Sequence, residues 1–227
     1  YDDLDKLIDL LKSQSQLKVV SIFSHLAASE DPDMDDFTIE QIEKFNRCAE
    51  KIKQSLGYSV MKHILNSSGI ERFPDYQFDM VRLGIGLWGI NCQNEHLLRN
   101  VCTLKTKIIQ IKKVKAGETV GYNRKGKITE DSLIALLPIG YADGISRRLG
   151  NGVGNVLYKG QKLPIVGNIC MDLMMVNITG TDAQEGDEVT FFGDNQTISD
   201  IAALQGTIPY EVLTSIAPRV RRVYYRY

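Results

Sequence analysis

The chain has 227 residues, with 27 Lys and Arg against 28 Asp and Glu for a net charge of −1, and 43% of its residues are hydrophobic. That length predicts one large globular domain or two modest ones, and the balanced charge removes any drive toward nucleic acid or anionic lipid, leaving a small or neutral partner. The longest apolar runs, residues 133–139 and 169–176, fall well short of the roughly 20 residues of a spanning helix, so no membrane passage is expected. The first residues lack the basic, apolar, small-residue order of a secretory signal. Cys48, Cys92, Cys102 and Cys170 form no C-x-x-C pair, which predicts reduced thiols, a cytoplasmic location and no metal site.

In chain order, YDDLDKLIDLLKSQ places Leu4, Leu7, Ile8 and Leu11 at helical spacing, with Asp2, Asp3 and Asp5 at the positive helix end, and predicts an amphipathic helix. KVVSIFSHLAA reads as a buried strand. Ile39, Ile42, Phe45, Ala49, Ile52 and Leu56, ending at Gly57, read as a long helix closed by glycine. Further strands are expected in YSVMKHIL and in DMVRLGIGLWG, and the alternation predicts parallel βα units. From about Asn100 the runs CTLKTKIIQIKKVKAGETVGY, SLIALLPIGYADG, GNVLYKGQKLPIVGNICMDLMMVNIT and DEVTFFG, separated by glycine-bearing turns, predict a mostly antiparallel β domain. Helical patterns return only at ISDIAALQG and IPYEVLTSIA. The boundary is expected between Gly89 and Asn100, giving domains 1–92 and 93–227. A closed (β/α)8 barrel needs eight strands, and three buried strands with an unpaired edge read as the back end of a longer protein.

His25 closes the first strand, His63, Asn66 and Ser67 the second, and Arg82, Gly84 and Ile85 lie on the third. The carboxyl ends of such strands are where sites are built. Polar groups inside apolar segments demand partners or a ligand, and Ser67 with the backbone around Gly84 suits a phosphate. The plainer alternative is that Ser67 and Asn66 cap a turn and that Arg82 is a structural ion pair. In the β half, Tyr122 of VGYN, Tyr141 of IGYADG and Tyr210 of TIPYE each read, taken singly, as a rim residue. Met171 and Asp172 of GNICMD follow a strongly apolar run, where the aspartate alone would bond a neighbouring turn.

FSHLAASED, HILNSSG, DMVRLGIGLWG, AGETVGYN, LPIGYADGISRRL, PIVGNICMD, GDEVTFFG, TIPYEVLT and RVRRVYY, in this order and spacing, closely resemble the C-terminal two-thirds of bacterial alanine racemase, over essentially the whole chain. The resemblance implies an α/β plus all-β fold, the C-terminal part of a (β/α)8 barrel that binds pyridoxal 5'-phosphate (PLP), followed by a mostly antiparallel β domain. It implies a head-to-tail homodimer with shared active sites that interconverts L- and D-alanine by two-base proton transfer and supplies D-alanine for peptidoglycan in the cytoplasm.

Carried over by motif, Tyr122 matches the catalytic tyrosine that reaches the other subunit's site, opposite the PLP lysine. A tyrosine of pKa near 10 needs nearby positive charge or donors to act as a base, and His25 and Arg82 are the implied suppliers. Arg82 also matches the arginine at the pyridine nitrogen, where it donates a hydrogen bond but no proton; the weaker electron sink suits a racemase better than a transaminase. Ser67, Gly84, Ile85 and Tyr210 match the phosphate-binding positions, with His63 and Asn66 completing the cofactor set. Met171 and Asp172 match the pair beside the substrate carboxylate and methyl group. Tyr141 and Arg147 match gates of the access channel, lined by Ile208. Asn168 stands where the family usually has arginine before I-C-M-D, which implies a less positive channel.

The family's PLP lysine belongs to an A-x-x-K-A-N-A-Y-G-H-G block, and no lysine here has that context; the substrate-binding arginine of the earlier barrel half is absent too. The chain alone is therefore expected to be inactive, and a parent fused to a cell-wall ligase is one origin for it. Two rivals are a lysine-free pseudo-enzyme or dimerisation module, and a related PLP decarboxylase of the same fold type, which would lack VGYN.

Overall fold

An acidic first turn and a leucine-isoleucine stripe produce α1 (Leu4–Ser13), the first element in the computed structural model, which describes residues 3–91 and 98–226. The chain divides into two units, Tyr1–Arg99 and Asn100–Tyr227; Cys92 and the expected boundary at 92/93 lie outside the described residues. Ile8 is the buried member of the α1 stripe.

In the first unit, β1 (Ser21–Phe23) and β2 (Met61–His63) pair in parallel, Phe23 opposite His63, with α2 (Asp35–Leu56) connecting them. The α2 stripe predicted from the spacing is the buried one: Ile42 and Phe45 pack with Leu26, Ile64, Leu65 and Phe73 in one cluster. Burying each such side chain stabilises the unit by roughly 1.5–3 kcal/mol. Gly57 ends the helix in the left-handed conformation at φ 75°, its N–H on the Lys53 carbonyl. A short α3 (Ser67–Arg72) follows β2.

Both strands are shorter than their apolar runs, and the third expected strand does not form. Residues 80–84 instead run beside β2 without regular structure and lead into a 3-10 turn, Ile85–Trp88, closed by Gly89. The reason is local competition. The Asp79 carboxylate takes the Lys62 N–H at 2.8 Å, a bond that a backbone carbonyl would make in a ladder. The two backbone bonds that remain, Asp79 N–H to Lys62 and Arg82 N–H to Leu65, do not follow the even spacing of a parallel pair. Arg82 and Gly84 are nonetheless held at the carboxyl end of β2.

The second unit is antiparallel throughout its named strands. β3 (Leu104–Lys107), β4 (Gln110–Val114), β5 (Thr119–Val120), β6 (Gly126–Lys127), β7 (Ser132–Leu137), β8 (Asn155–Tyr158), β9 (Gln161–Pro164), β10 (Met174–Asn177) and β11 (Glu188–Phe192) form two main sheets. Their orders are β10-β7-β4 and β3-β11-β8-β9, and β5 and β6 make a separate hairpin. One predicted run is split between the sheets: the Ile108 N–H bonds Asp187 on one side and the Ile109 N–H bonds Leu136 on the other, so β3 and β4 join different sheets. Two helices close the unit, α4 (Ile198–Gln205), whose Thr197 and Asp200 form a reciprocal cap, and α5 (Pro209–Ser215). Among the described residues no helix is long and apolar enough to cross a membrane.

Candidate active site

Parallel pairing brings the carboxyl ends of β1 and β2 together, and Arg82 ties them. Its Nη1 donates to His63 Nδ1 at 2.9 Å, and its Nη2 donates to the carbonyls of Ser24 at 2.7 Å and Ile64 at 3.1 Å and to His25 Nδ1 at 3.2 Å. A guanidinium only donates, so both Nδ1 atoms act as acceptors and each neutral imidazole carries its proton on Nε2. Burial first, and the Arg82 charge second, hold the His63 pKa below its ordinary 6.5. The Phe23 ring stacks on His63 at 5.4 Å, with the Arg82 guanidinium 5.3 Å from the same phenyl centroid. Arg82 is a strand-end clamp on two histidines, and among the described residues its partners are imidazoles and carbonyls.

Ser67 makes a second focus. Its Oγ accepts the N–H groups of Gly84 at 3.0 Å and Gly86 at 3.2 Å, so the start of α3 and the glycine-rich turn converge on one hydroxyl. Asn66 does cap α3, its Oδ1 taking the Gly69 N–H and the buried Ser29 hydroxyl, both at 2.9 Å. Among the described residues the Ser67 hydroxyl proton and the Ile85 N–H have no acceptor, and neither has Arg82 Nε. A Cβ at Gly84 would stand 3.8 Å from Ser67 Oγ, an ordinary contact, so this approach does not itself require glycine.

In the second unit the segment 168–172 is the organiser. Tyr122, 71% exposed, sits at the tip of the β5–β6 hairpin, and its carbonyl accepts from Asn168 Nδ2 at 3.2 Å. Two residues on, the carbonyls of Cys170 and Met171 accept the N–H groups of Tyr141 and Ala142. This close approach needs Gly140, where a Cβ would lie 2.3 Å from the Cys170 oxygen. Tyr122, Asn168, Met171, Asp172 and Tyr141 are thus brought together. A groove of about 570 Å³ under Tyr122 is lined by Val120, Leu136, Cys170 and Met175 among others. Arg147 is exposed on the turn Arg147–Leu149. Ile208 caps the start of α5, and Tyr210 occupies that helix's first turn.

Arg219 was missed by the sequence reading. It donates from Nε to Asp143 at 2.7 Å and from Nη2 to Asp172 at 2.6 Å, and the two carboxylates raise its pKa. Asp143 also takes the Gly140 N–H, so one guanidinium ties the Tyr141 turn to the Met171 segment. RVRRVYY and YADG were both legible as motifs, but nothing local pairs them.

Residues 101–224 match the family model for the alanine racemase C-terminal domain, and residues 1–92 match that for the alanine racemase N-terminal domain. The chain belongs to the alanine racemase family. The parallel pair with its helices is the part that aligns with the family's N-terminal domain, and the antiparallel sheets align with its C-terminal domain. Curated relatives include alanine racemase 1 of Clostridium acetobutylicum, 38% identical over 220 residues that cover 92% of this chain and 56% of the relative. The alanine racemase of Rickettsia bellii is 39% identical over 233 residues, 99% of this chain and 54% of the relative. Among solved structures, the alanine racemase of Clostridium difficile superposes with a TM-score of 0.89 at 36% identity, over 99% of this chain and 60% of that one. The Bartonella henselae alanine racemase, with covalently bound pyridoxal phosphate, gives 0.85 at 34% identity, over 99% and 62%. The chain therefore spans 54% to 62% of the length of these relatives.

Proposed function

We propose that this chain forms the greater part of a PLP-dependent alanine racemase that interconverts L- and D-alanine by two-base proton transfer. The observation that carries the reading is the Arg82 cluster beside the Ser67 turn: a fixed guanidinium with Nε uncommitted, next to a hydroxyl and an N–H without acceptors among the described residues. That donor set fits an aromatic nitrogen at one end of a ligand and a phosphate at the other.

PLP, when bound, supplies the electron-withdrawing ring that acidifies the Cα proton of alanine. Ser67 Oγ, the Ile85 N–H and the Gly84 backbone would hold the phosphate, Tyr210 of the second unit matching a further phosphate position of the family, while His63 and Asn66 shape the strand ends. Arg82 Nε would donate to the pyridine nitrogen and keep its own proton, because a guanidinium is a hydrogen-bond donor and not an acid. His25, accepting from Arg82 on Nδ1, presents Nε2–H outward. Tyr122 Oη takes and returns the Cα proton on one face, in a head-to-tail homodimer where it serves the partner's site and receives that His25 donor. Met171 and Asp172 lie beside the substrate carboxylate and methyl group, and Tyr141, Arg147, Asn168 and Ile208 line the access channel. The other face belongs to a lysine that these 227 residues lack in its family context, so the chain alone is inactive. Supply of D-alanine to peptidoglycan in the cytoplasm completes the reading.

The test is Tyr122→Phe in a protein joining this chain to the lysine-bearing family segment. Racemisation should be lost with PLP still bound, abstraction from L-alanine suffering most. Unchanged kcat in both directions would refute the role.

A further inference from the structure

The β5–β6 hairpin that carries Tyr122 is poorly equipped to hold its own shape. Its ladder has two residue pairs, Thr119 with Lys127 and Val120 with Gly126, extended at the open end by the Gly117 N–H on the Ile128 carbonyl and the Ile128 N–H on the Glu118 carbonyl. Ile128 and Val120 anchor that end in a hydrophobic cluster, while the tip beyond Val120 has no ladder of its own. The tip has positive φ at Gly121 (78°), which glycine adopts freely, and enters the left-handed region at Asn123 (φ 55°) and Arg124 (φ 52°), the last a residue that keeps this conformation only where the surroundings impose it. Within the hairpin three bonds help: Arg124 N–H to the Gly121 carbonyl at 3.2 Å, Lys125 N–H to the Tyr122 carbonyl at 3.4 Å and Arg124 Nε to Thr119 Oγ1 at 3.1 Å.

At the tip the external polar hold is an amide relay. Asn168 Nδ2 donates to the Tyr122 carbonyl at 3.2 Å, and Asn168 Oδ1 accepts from Asn151 Nδ2 at 3.0 Å. The orientation of the Asn168 amide is forced, since a carbonyl only accepts and must face the NH2; the oxygen then faces Asn151. Asn151 is itself anchored, its N–H on the Gly167 carbonyl at 2.8 Å. The backbone of Asn168 also closes on the hairpin, 3.7 Å from where a Cβ of Gly121 would stand.

We propose that Asn168, backed by Asn151, is the positioning residue for Tyr122: the relay fixes the hairpin tip and with it the place where the phenol hydroxyl is presented. The proposal rests on the proton-transfer role given to Tyr122 above. It is chemically specific, because the position needs a donor toward Tyr122 and an acceptor toward Asn151 in one side chain. Asparagine has both, aspartate only the acceptor and arginine only donors.

Two readouts separate this from its premise. In the chain itself, Asn168→Ala and the near-isosteric Asn168→Asp should each speed hydrogen exchange at the Arg124 and Lys125 amides by about two- to tenfold, the loss of one ordinary hydrogen bond, with β7 and β10 amides unchanged. Asn151→Ala should give a smaller increase at the same amides, and Asn168→Gln should restore part of the protection. In the lysine-completed enzyme, Asn168→Ala should lower kcat with little change in KM, and should add nothing to Tyr122→Phe. Unchanged exchange in both Asn168 variants would overturn the relay. A further fall of kcat in the double variant would overturn its action through Tyr122. If Tyr122→Phe alone leaves kcat intact, the premise fails while the exchange result still judges the relay.

Discussion

Arg82 Nη1 stands 2.9 Å from His63 Nδ1, so a permanent cation donates to an imidazole that must stay neutral to accept. Burial is the larger cause of the lowered His63 pKa, and the Arg82 charge the second. A base whose folded-state pKa is depressed contributes stability that is complete above its unfolded value, near 6.5, and is lost as pH falls through the lower folded value. The unfolding midpoint should therefore drop with acidification below about pH 6.5, and an NMR titration of His63 should run below that value. Arg82→Gln should reverse only the smaller part of the shift. A His63 titration at an unperturbed position would contradict this account.

Ser67→Ala removes the acceptor shared by the Gly84 and Gly86 N–H groups. Two turn amides left without a partner should destabilise the chain by about 1–3 kcal/mol. In the lysine-completed enzyme the affinity for PLP should fall by about tenfold, measured by absorbance titration. Wild-type denaturation and wild-type affinity together would sink the cradle.

Gly140→Ala meets backbone on two sides, with the new Cβ at 2.3 Å from the Cys170 oxygen and 2.4 Å from that of Met171. No rotamer relieves a clash with main chain, so the Tyr141 turn must part from the Met171 segment. Gly160 offers the comparison: it has open space around its Cβ but a φ of 83°, where alanine adds only local strain, roughly 1 kcal/mol. Thermal unfolding should rank Gly140→Ala clearly below Gly160→Ala, and equal losses would contradict the close approach.

Arg219→Met strands Asp143, whose side chain is 12% exposed, and should cost about 1–3 kcal/mol. Arg219→Lys should recover part of this, because an ammonium lacks the fork that spans two carboxylates. Asp172→Asn, at an exposed partner, should change stability by no more than about 1 kcal/mol. Chemical denaturation of the three variants tests the ranking, and a neutral Arg219→Met would show that the tie is ornamental to the fold.

Periodicity and punctuation made much of the fold legible. The stripe Ile42, Phe45, Ala49 and Ile52 is the buried face of α2, and Gly57 ends that helix. The candidate site rests on an ordered set of motifs, of which the structure groups Tyr122, Tyr141 and Met171 through residues 168–172. DMVRLGIGLWG misled because its apolar alternation suits a strand, whereas the Asp79 carboxylate occupies the ladder position at Lys62. Side-chain competition of that kind leaves no periodic trace.

The sequence by itself determined which faces are apolar, where glycines permit turns, and the order of motifs that marks the family, since each of these depends on neighbours a few residues apart. Only the tertiary structure decided the partners. Arg219 reaches Asp143 across 76 positions and Asp172 across 47, Arg82 reaches Ser24 across 58, and Asn168 reaches Tyr122 across 46. The hydrogen-bonding capacity of a side chain is written in its residue type, but the group that meets it is chosen by how distant segments pack, and local patterning carries no record of that choice.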